Sequence, residues 1–458
     1  MVAPKHWLSG FRARFVSGSD PTRSDCLGIL AFEAAATMAR LISLHRSLSD
    51  SELRRLRSDT MRSEGIAYLV SADQSHLLRL ACAELVGDLD RAASAVARLG
   101  LRCSAAIPRG FERFYADAKA GGLADLDRVG LAKNYDKRVK KMERYVPVTA
   151  KLYSEMDTLN ELEQSERKME QWKRFSGPIP LQQPDPAIPL RRELKTQRQR
   201  VRRLMEESLW SETFDKAVGL MVNSVLAILL RICSVFAQFV PGLPSLTSRY
   251  RHYSPRTMHS SGPLERPFAM AADIRFSAPL SRPKDAILKP NSDLSKLLQP
   301  SPTSVGGSGM ALRYANVIVA AEKVLALGSE AVESDDGEAA TREEMYEMLP
   351  IRVRAAVKAK LREWWRKEAA PKADEGMVAG WKEAVERIVR WLGPVARDTV
   401  RWHEERNMDR QQRFDMKARA LMLQTLQFAD REKTEAAVVE VLVGLSCMCW
   451  YHEQRRGS

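Results

Sequence analysis

No stretch of this chain stays apolar for the ~20 residues that a membrane-spanning helix needs. The longest apolar run, Ala217 to Leu230, contains Asn223 and is closed by Arg231. It reads as a buried core helix, with a membrane-inserted hairpin continuing to Val240 as the competing reading. Cysteine is sparse: six residues, at 26, 82, 103, 233, 447 and 449, with no secretory signal ahead of them. That excludes a disulfide framework and fits a reducing compartment. β-branched alternation is scarce, which argues against a sheet. Catalytic signatures are missing as well. There is no G-x-S-x-G, no H-E-x-x-H and no paired-carboxylate constellation. Gly306-Gly307-Ser308-Gly309 lacks the lysine of a phosphate-binding loop, the next basic residue being Arg313, and no strand pattern precedes it. Cys447-Met448-Cys449 with His452 does not have the spacing of a zinc pair and reads as buried cysteines. No catalytic residue, cofactor, metal or small-molecule substrate is expected.

What is present is helical. The 458 residues suffice for two or three cores, and 45% hydrophobic with 28% charged residues is ordinary for a globular protein. Ala, Leu, Arg, Glu and Met dominate the periodic regions, so the expected fold is all-α. Apolar stripes at helical spacing run through Leu27, Leu30, Ala34, Met38, Leu41, His45 and Leu48, and again from Leu77 to Leu99. Ser24 or Asp25 should cap the first of these helices, Ser49 or Asp50 the next and Asp73 the long one. Gly100 suits a C-cap. His45 has no second ligand one turn away and reads as a partly buried side chain. The pattern from Asn134 to Trp172 is expected to break at Pro147. Farther on, Tyr314, Ile318, Ala321 and Val324 share a face. So do Val353, Val357, Leu361 and Trp364, and then Trp381, Val385, Ile388 and Leu392, with a kink expected at Pro394. Residues 406–450 read as one more long helix.

These patterns divide the chain. A basic aromatic tail, 1–23, precedes an N-terminal helical domain, 24–176. A Pro-rich break, 177–189, leads to basic and then apolar helices, 190–240, that pack back onto that domain. Residues 241–304 hold ten of the 22 prolines and carry nine basic against four acidic residues. They read as a long, basic, disordered Pro/Ser-rich linker between two helical-bundle modules. A C-terminal helical domain, 305–402, and a C-terminal helix and tail, 403–458, complete the chain. Five of nine tryptophans fall at 364, 365, 381, 391 and 402, and read as core filler.

The net charge of +14 calls for an anionic partner without choosing one. Trp7, Phe11, Arg12 and Phe15 are candidate membrane contacts on one face of an acid-free terminus. Lys137, Arg138, Lys140 and Lys141 form one candidate basic patch. Arg198, Arg200, Arg202 and Arg203 belong to a second, with seven Lys/Arg between Arg191 and Arg203. Solvated helix faces are the plainer reading of both, ranked above nuclear import, and nucleic acid is not the expected partner. Ser254 and Ser301, each followed by proline, are candidate phosphorylation sites.

Several segments together resemble a known family. LGILAFEAAATMARLISLHRSLSD (27–50), SEGIAYLVSADQSHLLRLACAE (63–84) and KKMERYVPVTAKLYSEMDTL (140–159) resemble the N-terminal domain of the plant PSK SIMULATOR family. GGSGMALRYANVI (306–318), EMYEMLPIRVRAAVKAKLR (344–362) and AVERIVRWLGPVARDTVRW (384–402) resemble its C-terminal domain, and SLWSETFDKAV (208–218) the segment between them. Gly306, Gly307, Tyr314, Ala315 and Asn316 carry the signature. The resemblance implies growth regulation, in some members tied to signalling by the peptide hormone phytosulfokine, through protein partners and without assigned enzymatic activity. Several members begin Met-Gly and look myristoylated, whereas Val follows Met here, so N-myristoylation is not expected. The family usually has His where this chain has Arg313. The expected role is a growth-promoting scaffold in the nucleus, the cytoplasm or at the cytoplasmic face of the plasma membrane. The alternative is a peripheral membrane or trafficking adaptor on anionic lipid. Tyr314 and Asn316 are expected to serve packing and helix-to-helix hydrogen bonding.

Overall fold

A computed structural model describes residues 26–120, 134–175, 187–240, 243–244, 292–327, 343–367, 375–406 and 412–456. Trp7, Phe11, Arg12, Phe15, Ser24, Asp25 and Ser254 lie outside these residues, as does most of the expected linker.

The described residues are helical, with two isolated bridges, Cys26 with Thr213 and Ser304 with Asp430. The N-terminal module holds α1 (Ala31–Ser47), α2 (Asp50–Arg55), α3 (Glu64–Leu69), α4 (Gln74–Gly100), α5 (Phe111–Lys119), α6 (Tyr135–Phe175), α7 (Ala187–Glu207) and α8 (Phe214–Phe236). The short α9 (Ser292–Leu297) packs on α4. The C-terminal module holds α10 (Ala311–Leu327), α11 (Ile351–Lys367), α12 (Glu375–Arg406) and α13 (Arg431–Arg456).

The apolar stripes do what their spacing predicts. Met38, Leu41 and Ile42 of α1 meet Leu77, Leu89 and Val96 of α4 around α8, whose Val218, Met221, Val225 and Ile232 are fully buried. The run 217–230 is therefore the centre of the first core. By length and composition α8 and residues 431–452 of α13 are each long and apolar enough to cross a membrane, but most of α8 is enclosed by its neighbours. Ser49 caps α2 through the Glu52 amide, and Asp73 caps α4 through the Ser75 amide. α6 and α7 form a hairpin with its own small core of Leu152, Met156, Leu159, Leu194 and Val201 against Phe32.

Along the backbone, the structure departs from the sequence expectations in five places. The first helix starts later than 26 or 27: Gly28, at φ +53°, lets the chain turn from the Cys26 bridge into a 3₁₀ turn, and α1 proper begins at Ala31. Gly100 ends α4 not as a left-handed cap but as a contact. A Cβ there would lie 2.2 Å from the Pro108 carbonyl oxygen. α6 continues as one helix through Pro147, which lies on its exposed face. Residues 292–304, expected to belong to the linker, are ordered: Leu294 and Leu297 pack on the core and Ser304 is buried. Finally, 406–450 is not one helix. Residues 412–430 form a non-helical strap with two short 3₁₀ turns, and α13 begins only at Arg431.

That strap joins the modules. It accepts hydrogen bonds from α1 at the carbonyls of Met416 (Arg46 Nη1, 3.0 Å) and Lys417 (Ser43 Oγ, 2.6 Å). At its far end the Asp430 amide donates to the Leu69 carbonyl of α3 at 2.8 Å. α12 lies against α3 directly. A Cβ on Gly65 would stand 2.3 Å from the Trp391 carbonyl oxygen, so only glycine admits this approach. One continuous apolar core therefore runs through both modules.

Candidate interaction surfaces and the seam between modules

The seam is where the molecule spends its buried charge. Glu84 of α4 is 4% exposed. Its Oε1 accepts from the Trp402 indole at 3.1 Å and from the Arg406 guanidinium, both on α12, and its Oε2 accepts from the Met422 amide of the strap. One carboxylate thus ties three segments together. Burial pushes its pKa up to about 6, outweighing Arg406 and the two other donors that favour the charged form. The same burial lowers the pKa of Arg406. Burial opposes both charged forms, so the cost of desolvating the pair offsets much of its attraction. Beside it, buried Asp88 pairs with Arg91, and burial lowers the pKa of Arg40. Burial also lowers the pKa of His403, and its neutral Nε2 can accept from the Gln427 amide nitrogen at 3.2 Å.

The signature residues lie on this seam. The Val305 and Gly306 amides donate to the Ala429 and Gln427 carbonyls at 2.9 and 3.2 Å. A Cβ on Gly306 would stand 2.3 Å from the Gln427 carbonyl oxygen, and one on Gly307 2.0 Å from that of Ser301. Gly309, at φ +71°, turns the chain into α10. Tyr314 is 2% exposed and donates from its hydroxyl to Glu435 Oε1 of α13 at 2.9 Å; burial raises its pKa. Ala315 is fully buried and Asn316 half-buried. Arg313 donates to the Met348 and Glu347 carbonyls, closing the end of the helical stretch 343–348.

The two basic patches do not merge. Lys137, Lys140 and Lys141 are exposed near the start of α6, with the half-buried Arg138 over the Tyr135 ring at 5.9 Å. Arg198 instead pairs with Glu163 at 3.1 Å, and Arg200 with Glu155 at 3.3 Å. Those acids lie at least 14 residues farther along α6, on the order of 20 Å at the helical rise. Arg202 and Arg203 are exposed on α7. Ser301 is exposed, and its hydroxyl lies 2.9 Å from that of Thr303 in the turn leading to the strap. His45 packs edge-on against Tyr135, with ring centroids 4.7 Å apart.

Trp364, Trp365, Trp381 and Trp450 cluster at one end of the C-terminal module, with centroids 4.7 to 6.1 Å apart. Of the five tryptophans expected to fill a core, none is fully buried: Trp381 and Trp391 pack half-buried against it, Trp364 and Trp402 are half-buried, and Trp365 is 41% exposed. Among the described residues no group of three His, Cys, Asp or Glu is placed to hold a metal ion, and Cys447 is buried in α13.

Sequence reasoning missed Glu84, Arg406 and the strap. The one available signal was a glutamate on the otherwise apolar stripe of α4.

The class defined by this architecture is an all-α protein of two modules, each matched by a family model. Residues 29–85 match a domain of unknown function, DUF3475, and residues 304–401 match a protein family of unknown function, DUF668. Along most of its length the chain is similar to the PSK SIMULATOR proteins. It is 26% identical to Protein PSK SIMULATOR 1 of Arabidopsis thaliana over 446 residues, covering 94% of this chain and 57% of the relative. It is 26% identical to PSK SIMULATOR 3 and 23% identical to PSK SIMULATOR 2 of the same plant, covering 57% and 62% of their lengths. The chain thus spans about three-fifths of the curated relatives it matches. No solved structure matches it.

Proposed function

We propose that the chain is a non-enzymatic regulator or scaffold that promotes plant growth in phytosulfokine signalling, working through protein partners. The reading rests on one observation: similarity to proteins named PSK SIMULATOR runs through both modules and the segment between them, over 94% or more of the chain. The architecture supports a scaffold role in physical terms. A continuous core and a hydrogen-bonded strap hold two helical modules in one relative placement, which presents separated helix faces at fixed spacing. Growth of plants lacking this chain, with and without the hormone, tests the reading. Restoration of growth and hormone response by the parent chain is expected. A chain that accumulates normally yet changes neither one rejects it. A fluorescent fusion at the C-terminus reads the compartment, proposed as nucleus, cytoplasm or the cytoplasmic face of the plasma membrane.

A further inference from the structure

Away from the seam, α2 and the last turns of α8 line an open, solvent-facing cavity of about 430 Å³. Its lining includes Arg54, Arg57, Arg231 and Asp50, over a floor of Leu53 and Val235. Three guanidinium groups against one carboxylate leave the lining at a net charge of two positive. The chain takes an unusual path here. Residues Leu56–Thr60 form a wide π-helical turn immediately after α2, a feature frequent at functional sites. Arg57 sits in that turn. It is anchored by one bond, Nη2 to the Val235 carbonyl at 3.4 Å, with its guanidinium 5.3 Å from the centre of the Phe239 ring. Its Nε is buried and makes no hydrogen bond among the described residues. Arg231 is held by the Leu48 carbonyl and by Asp50, and Arg54 donates from Nε to the Asp50 carbonyl at 3.2 Å. Each side chain is positioned through one edge, leaving further N–H donors of its five.

We propose that this cavity binds a phosphomonoester on a head the size of a phosphorylated polyol. The volume falls in the range of small-molecule sites. Planar guanidinium forks match the oxygens of a phosphate. A phosphomonoester carries close to two negative charges at neutral pH, which balances the lining, whereas a carboxylate leaves half of it uncompensated. The same chemistry is offered by a free polyol phosphate and by a phosphorylated lipid headgroup. This proposal is independent of the role in growth proposed above.

Calorimetric titration of the full 458-residue chain with inositol monophosphate and with inorganic phosphate tests it. Inositol monophosphate is expected to bind more tightly than inorganic phosphate. Arg57→Gln and the exposed Arg54→Gln should each weaken it about tenfold, the loss of one charge-assisted contact. Arg54→Gln should leave the melting temperature unchanged, which keeps the result independent of folding. The paired change Arg202→Gln and Arg203→Gln, on α7, should leave affinity as it was. Sedimentation with phosphatidylcholine vesicles separates the sources. Recruitment by phosphatidylinositol monophosphate beyond charge-matched phosphatidylserine, competed by inositol monophosphate, identifies a lipid headgroup. Soluble binding without recruitment identifies a free ligand. The proposal is overturned if inositol monophosphate does not bind, if neither cavity variant weakens it, if the α7 pair weakens it equally, or if only a phosphoserine peptide binds.

Discussion

At the seam, Glu84 is withdrawn from solvent and receives hydrogen bonds from α12 and from the strap, while on the α6–α7 hairpin Arg200 meets Glu155 with about half of its own side chain in water. Both are acid–base contacts between helices. Their energetics differ because the first has lost its hydration and the second has not. A buried charge left alone costs several kcal/mol, so the seam penalises any arrangement other than the one that pairs it. The hairpin contacts can be lost, and water replaces them.

Five experiments break or sharpen that contrast. Arg406→Ala strands Glu84 and should cost about 3–5 kcal/mol of unfolding free energy; a denaturation midpoint close to the parent's means that Glu84 is hydrated after all. Tyr314→Ala removes a fully enclosed ring at the α10–α13 contact, at a cost of about 3 kcal/mol. If that variant melts like the parent, the packing assigned to the signature tyrosine is wrong. Gly65→Ala forces α3 and α12 apart and should cost about 1–3 kcal/mol, with the added mark of faster proteolysis between the modules. The fourth experiment varies pH. Because the folded pKa of Glu84 is raised above that of a free glutamate, its contribution to stability is complete below the unfolded value and is lost as pH rises through about 6. Relative to Glu84→Gln, the parent should therefore lose about 2 kcal/mol across that window; parallel stability curves would sink the assignment. Smallest is Arg200→Ala on the hairpin, expected to change stability by less than about 1 kcal/mol and to do less still in high salt.

Much of the fold was legible in the sequence, for a definite reason. The stripes of α1, α4, α8, α10 and α12 are written at helical spacing, and burial follows most of their residues, with Leu30, His45, Trp381 and Ile388 only partly buried. The strap was not legible. Residues 415–428 are rich in Ala, Leu, Met and Gln and hold no Pro or Gly, so local propensity favours a helix. What overrides it is tertiary: the backbone groups of Met416, Lys417, Met422 and Asp430 are committed to α1, α4 and α3. The opposite error fell on 292–304, where Pro and Ser suggested a free linker. Two leucines of α9 and the turn that delivers Ser304 to Asp430 hold it in place. The signature glycines showed their need for space in the sequence, but not the partner that fills it.

The strap has a consequence for how the protein is made. Glu84 and Arg406 lie 322 positions apart, with the strap later still in the chain. At the ribosome's pace of about 5–20 residues per second, Glu84 waits roughly 15 to 65 seconds for the side chain that pairs with it. During that interval Glu84 faces water on an unfinished surface, and the Gly65 face of α3 is open to any passing helix. A nascent chain of this protein is thus at its most vulnerable between the emergence of α4 and that of α12. Slow translation of the intervening segment lengthens that exposure.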